Sequence, residues 1–248
     1  MIITPINSTE SAVHLSGYVT GATSGVKDVW PISAATATIP IPEILRQVTV
    51  SSSATTDVST NDGAHTVVIQ GLGPTYNMVS DTITMNGQNA VQSTQAFTAI
   101  NSLDVIDAGA DASNKGVIYA GIGTVTTGVP ATPYCAIAQG VSKSETLCFT
   151  VPRNHTLEIE SVSVVPKTIN TSSLLWSINK SYLSDTQEIK QVIYTSMYRE
   201  TQFESIQKFD TPIVFNQRET LKMSVSQLSS NGDVLVYVVG KLKSNRSK

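Results

Sequence analysis

Residues 66–101 read TVVIQGLGPTYNMVSDTITMNGQNAVQSTQAFTAIN, a run of alternating apolar and polar side chains broken at intervals by Gly and Asn. A period of two sends successive side chains to opposite faces of a strand, and Gly and Asn supply the backbone conformations that tight turns require. Val67, Ile69 and Leu72 mark a strand ending in a turn over 71–74. Met78, Ile83 and Met85 then lead into Asn86-Gly87, a dipeptide suited to a two-residue hairpin. The stretch predicts antiparallel strands on short turns, and it contains no catalytic motif.

The same pattern runs outward from there. Strands are expected at short spacing from 47–53 through 90–99, 134–139, 156–166 and 187–195 to 233–242. Leu157, Ile159, Val162 and Val164 keep the period of two with a slip at Ser161, the mark of a β-bulge, and Val234, Val236 and Val238 keep it without one. Helical periodicity is confined to 42–47 and 196–206, each long enough for a turn or two. Many short strands with turn signals every eight to twelve residues predict an all-β fold, an antiparallel β-sandwich of jelly-roll type.

Composition narrows the class further. At 248 residues with 14% charged and 6% aromatic side chains, the chain is too apolar to be disordered and carries less charge than a typical cytosolic enzyme. Ser, Thr, Asn and Val dominate, as exposed β surface and turns require. The net charge of −3 conceals an asymmetry: residues 1–134 carry −6 and the remainder +3. The basic tail (Lys241, Lys243, Arg246, Lys248) has too little charge and no aromatic interleaving for a nucleic-acid site, so it is read as a solubilising terminus. Met1–Pro5 lacks the features of a secretory signal, and no run approaches the length of a membrane span; no membrane partner is expected.

Residues 1–45 differ from the rest, with Gly17, Gly21, Gly25, Pro31, Pro40 and Pro42 spaced through Ser, Thr and Ala. This predicts an extended N-terminal arm on a single β-sandwich domain spanning 46–248. The arm's apolar residues favour docking on another subunit over a solvated linker, and Trp30, Ile32, Ile39 and Ile41 are the candidate partner-binding residues. The Ile-Pro-Ile-Pro run at 39–42 suits an extended docking strand because Pro has no backbone donor.

Chemistry-bearing residues form no strong constellation. Glu158 and Glu160 lie at strand spacing that resembles a carboxylate pair of a glycan-cleaving enzyme, but solvated surface acids fit them better. His155 has no nucleophile elbow near it. Asp104, Asp107 and Asp111 around the loop DAGADASN do not follow calcium-loop spacing, and the three histidines (His14, His65, His155) are scattered, so no metal and no cofactor is expected. Cys135 and Cys148 are read as buried small hydrophobes in preference to a disulfide. Trp176, Tyr182, Tyr194 and Tyr198 are the one aromatic set able to serve a carbohydrate- or receptor-binding module, with core positions favoured for them.

The order Gly71-Leu72-Gly73, Tyr76-Asn77, Ser80-Asp81-Thr82-Ile83-Thr84-Met85-Asn86-Gly87, then a polar strand ending at Phe97, resembles a segment of virion structural proteins of tailed phages, marine and freshwater ones above all. A weaker likeness follows at Phe149-Thr150-Val151-Pro152, at Thr211-Pro212-Ile213-Val214 and at Ser229-Ser230-Asn231-Gly232 before the last strand; together the matches reach over about residues 48–240. The usual Pro-Ala-Gly-Lys turn of that family is here Pro152-Arg153-Asn154-His155. The resemblance implies a non-enzymatic virion component that decorates or cements a capsid or serves head or tail assembly. Its partners would be copies of itself, a trimer being the leading expectation, and capsid or tail proteins.

Overall fold

The computed structural model describes residues 1–22, 25–33, 35–41, 45–167, 173–183, 188–199, 205–227 and 232–245. In chain order the strands are β1 (Ile2–Pro5), β2 (Glu10–Ala22), β3 (Lys27–Asp28), β4 (Arg46–Ser52), β5 (Ala64–Leu72), β6 (Met78–Thr84), β7 (Val91–Phe97), β8 (Ala99–Ala108) and β9 (Ile118–Thr126). They continue with β10 (Val129–Ile137), β11 (Cys148–Thr150), β12 (His155–Pro166), β13 (Ser173–Leu183), β14 (Glu188–Arg199), β15 (Ser205–Phe215), β16 (Thr220–Gln227) and β17 (Gly232–Ser244). All of their pairings are antiparallel. The described residues contain no helix; Ser196–Arg199, where a helical turn was expected, belongs to β14.

The chain divides into two compact units, one made of Met1–Thr38 with Leu147–Lys248 and the other of Ile39–Thr146. This differs from the expected arm of 1–45 on one domain of 46–248: the second unit is inserted in the sequence of the first. The N-terminal segment is a strand because Val13, Leu15 and Val19 alternate toward the core, where each is buried. Gly17 falls in the same row. A side chain there would collide with Val29 and Leu147, so the glycine that made the segment look like a linker is a packing requirement.

In the first unit one sheet has the order β1-β2-β17-β12-β15 and the other β11-β16-β13-β14, with β3 on the edge of β16. A single core draws on both sheets: Val13, Leu15, Leu157, Ile159, Val162, Val164, Val234, Val236 and Val238 from the first, and Leu174, Trp176, Ile178, Leu221, Met223 and Val225 from the second. Burying each of these side chains contributes about 1.5–3 kcal/mol relative to exposure. Trp176 stacks at a tilt on Tyr194 with centroids 5.5 Å apart, and Tyr194 meets the edge of Phe209 at 5.1 Å. The slip read at Ser161 is present: the ladders from β12 to both β15 and β17 shift between Ile159 and Ser161. The bulge lets Ile159 and Val162 both enter the core although they are three residues apart.

The inserted unit has sheets β10-β9-β4-β7 and β6-β5-β8, closed around Val48, Val50, Val67, Ile69, Ile83, Phe97, Leu103, Ile118 and Ile137. β5 and β6 form the expected hairpin, through Gly73–Asn77: the Gly73 N–H donates to Asn77 O at 3.0 Å, and Tyr76 turns through a φ of 60°. Asn86-Gly87 does not make the expected two-residue hairpin. β6 and β7 lie in different sheets, and the dipeptide is the corner between them, with the Gly87 N–H on Asp57 O and the Ser52 N–H on Gly87 O, both at 2.8 Å. The turn signal was local and correct, since Gly87 has a φ of 58°; which sheet the chain enters next depends on distant partners.

A Cβ at position 87 would also lie 2.9 Å from the Thr55 carbonyl oxygen. Gly87→Ala is therefore expected to destabilise the protein by about 1–2 kcal/mol in chemical denaturation, from the left-handed backbone together with this collision.

Candidate functional site

Trp30, Ile39 and Ile41, the side chains expected to reach a partner, are buried within their own chain, Trp30 and Ile39 completely and Ile41 at 9% exposure; Ile32 is half-buried. The segment around Trp30 is a closed loop on the edge of β16. The Val29 N–H donates to Met223 O and the Leu147 N–H to Val29 O, both at 2.9 Å, while the Asp28 N–H donates to Ala37 O at 2.7 Å. The Trp30 indole N–H completes the loop by donating to Thr36 O at 2.8 Å. An indole ring gives the most apolar area of any side chain, so the large apolar residues that suggested docking were the ones the fold had most reason to cover itself.

The same loop organises the main buried polar network. Asp28 is 1% exposed; its Oδ1 accepts from Ser224 Oγ at 2.7 Å and from Lys190 Nζ at 3.0 Å. Asn179 Nδ2 and Lys190 Nζ also donate to Ser224 Oγ, at 2.9 and 3.2 Å. These groups share the face of the β11-β16-β13-β14 sheet opposite its core. Every contact is short and paired, which is the arrangement that lets a carboxylate sit out of water. The network fastens β3 to β16 and to β14.

A second buried carboxylate, Asp57 in the inserted unit, accepts from the N–H groups of Ala64, Lys115 and Gly116 at 2.7–2.9 Å and from Ser52 Oγ at 2.5 Å. With four donors to two oxygens it is a loop staple. Asp81 plays the corresponding part between β6 and β7: the N–H groups of Thr94 and Gln95, at 2.6 and 3.0 Å, and the Thr94 hydroxyl donate to it. It thereby ties an edge of one sheet to an edge of the other, where no ladder joins them.

Glu158 and Glu160 are both on the outer face of β12, as residues two apart on a strand must be, and each is held by a lysine of β17: Glu158 Oε2 to Lys243 Nζ at 2.6 Å and Glu160 Oε1 to Lys241 Nζ at 2.7 Å. They are a cross-strand ion-pair ladder on an open surface. His155 Nδ1 bonds Arg153 O within its own turn. In the acidic loop, Asp107 lies 3.3 Å from His65 Nδ1 and Asp111 pairs with Lys115; among the described residues no group of three acidic, His or Cys side chains could hold a metal ion. Of the aromatic set, Trp176 and Tyr194 belong to the core, Tyr182 is exposed, and the Tyr198 side chain lies outside the described residues. Small hollows of about 220 Å³ at Thr55, Val58 and Asn86–Asn89, and about 250 Å³ at Val105–Ala108, Ala112 and Ser142, are below the size of an ordinary small-molecule site.

Cys135 and Cys148 are buried and form no disulfide, and burial pushes the Cys135 thiol up to about 11. Since the thiolate is the reactive form, neither is expected to react with a thiol reagent at pH 8 until denaturant is added; rapid labelling of the native protein would contradict their placement. For Asp81, burial raises the carboxyl while donation from Gln95, Thr94 and Thr82 lowers it, and the net is below the usual carboxylate value. A carboxyl held below its ordinary value of 3.8 stabilises the fold fully above that value, and the contribution is lost as pH falls further, through the depressed value of the folded state. Asp81→Asn is expected to lower stability at pH 7, and the two proteins should converge in denaturation curves taken at progressively more acid pH.

No family model matches the chain, and no curated protein matches it. Among solved structures, one of the infectious bursal disease virus Gx strain is similar over 100% of this chain and 77% of its own, with 10% identity and a TM-score of 0.23. The VP2 subviral particle of the same virus is similar over 98% and 83%, with 8% identity and a TM-score of 0.14. Likeness at this level carries no argument about the fold.

Proposed function

We propose that the chain is a non-enzymatic structural subunit of a tailed-phage virion, one that decorates or cements the capsid surface and assembles with copies of itself and with capsid proteins. The observation that carries this reading is the strand order of the first unit. With the short β1 and β3 set aside, its remaining strands, lettered B to I in chain order, stand as B-I-D-G in one sheet (β2-β17-β12-β15) and C-H-E-F in the other (β11-β16-β13-β14). This alternation of eight strands between two four-stranded sheets supports the reading of the unit as a jelly roll, an architecture common among capsid and lectin domains. The second unit then occupies the connection between strands B and C.

Two further observations support a structural role. The carboxylate pair that suggested glycan cleavage is neutralised by Lys241 and Lys243 on an open surface, and the buried carboxylates Asp28 and Asp57 are consumed as fasteners. The sequence resemblance to tailed-phage virion proteins points the same way. Because fold alone does not give function, the test is location. Mass spectrometry and cryo-electron microscopy of purified particles carrying the gene are expected to find the chain at a fixed copy number on the capsid. Absence from particles, together with new reducing ends when the purified protein is incubated with host envelope polysaccharide, would overturn the proposal in favour of an enzyme.

A further inference from the structure

The outer face of the β11-β16-β13-β14 sheet carries a lysine wholly withdrawn from water. Lys222 of β16 is 0% exposed, and the polar side chains sharing that face are as dry: Asn179 is 1% exposed, Ser181 0% and Ser224 2%. The sequence explains the placement. Leu221, Met223 and Val225 of β16 and Leu174, Trp176 and Ile178 of β13 turn to the core, so the residues between them share the opposite face. The ladder between the two strands sets Asn179 directly opposite Lys222, and Ser181 opposite Thr220, one diagonal step away. Side chains directly opposite on one face have Cβ atoms about 5 Å apart, a gap that the four-carbon stem of a lysine spans with length to spare.

Two features of this pair go beyond packing. The Asn179 carboxamide is held by its nitrogen: Nδ2 donates to Ser224 Oγ at 2.9 Å and to Ser177 Oγ at 3.4 Å, and Ser224 Oγ donates in turn to Asp28 Oδ1 at 2.7 Å. Ser181 Oγ, two residues along the strand from Asn179, is buried without a hydrogen-bond partner among the described residues. A buried hydroxyl in that state is costly to folding, and its donor is unused.

We propose that Lys222 and Asn179 close an isopeptide bond within the folded chain, linking β16 to β13. Nζ gives up a proton and attacks Cγ of Asn179; a C–N bond forms, the Cγ–Nδ2 bond breaks, and Nδ2 leaves as ammonia. Overall, one side-chain ammonium and one carboxamide become one secondary amide and one ammonium ion, with no change of oxidation state. Ser224 and Asp28, hydrogen-bonded in series to Nδ2, are placed to carry a proton between the amine and the leaving nitrogen. The unused Ser181 hydroxyl donates to the Asn179 oxygen as negative charge gathers there, the part of an oxyanion donor. Holding amine and amide side by side replaces a chance encounter with an intramolecular step, and the dry face excludes water as a competing nucleophile. The bond lies inside one chain, so it does not depend on the virion reading.

Intact-mass spectrometry of the purified, denatured chain tests this. The wild type is expected to be lighter than its sequence by one ammonia, and a tryptic digest should contain a branched species joining the peptides that carry Asn179 and Lys222. Lys222→Met and Asn179→Ala should each restore the full mass. Ser181→Ala should slow closure about a hundredfold, read as unlinked chain in freshly made protein. A wild type of full sequence mass overturns the proposal, and this readout does not depend on whether any variant folds. A deficit that persists in Lys222→Met or Asn179→Ala overturns the assignment to this pair, and Ser181→Ala protein that links as fast as the wild type overturns the part given to that hydroxyl.

Discussion

The ladder between β2 and β17 is the constraint on which the first unit depends. It pairs residues more than 200 positions apart, from Glu10 with Lys243 to Ala22 with Gly232. Closing so long a loop costs entropy before any contact forms, and the cost is offset by the apolar rows the ladder aligns: Val13, Leu15 and Val19 beside Val234, Val236 and Val238, all buried. β17 pairs with β12 along its other edge, so one strand carries two long ladders and fixes the order of its sheet. With both ends of the chain held there, the inserted unit has to leave after β3 and return before β11.

Charge is handled consistently on this scaffold. Where a carboxylate is buried it has several donors at once, as Asp28 has Ser224 and Lys190, and Asp57 has three N–H groups and a hydroxyl. On the outer face of the first unit, Glu158 and Glu160 meet lysines across strands. The sequence asymmetry has the same basis. The inserted unit holds three basic and eight acidic residues, leaving the first unit basic. For a proposed virion subunit, separated charge of this kind gives orientation on encounter more than it gives affinity.

Much of the fold was legible where the period of two was long and unbroken. Val234, Val236 and Val238 gave a core strand, and the slip at Ser161 gave the bulge, because both are properties of one strand. Residues 10–22 carried the same signal in Val13, Leu15 and Val19, but Gly17 in that row and the prolines downstream made an arm the simpler reading; that Gly17 leaves room for Val29 and Leu147 is a tertiary fact. Trp30 was misread for a related reason, since a large apolar residue among glycines and prolines signals burial without saying in which chain. The Asn86-Gly87 turn was right in its backbone and wrong in its neighbour. The network around Asp28 was invisible because β3, β14 and β16 are brought together only by the sheet.

The central claim is that the N-terminal segment is a core strand of the first unit, and amide hydrogen exchange of the isolated chain tests it most directly. The account predicts that the amides of Val13 to Val19 that donate to β17 exchange as slowly as those of Val234 to Val239, since both belong to one ladder and open together. Exchange of residues 10–22 at the rate of an unstructured peptide, with β17 still protected, would contradict it: the segment would then be an arm, and the eight-strand order on which the proposed function rests would lose its first strand.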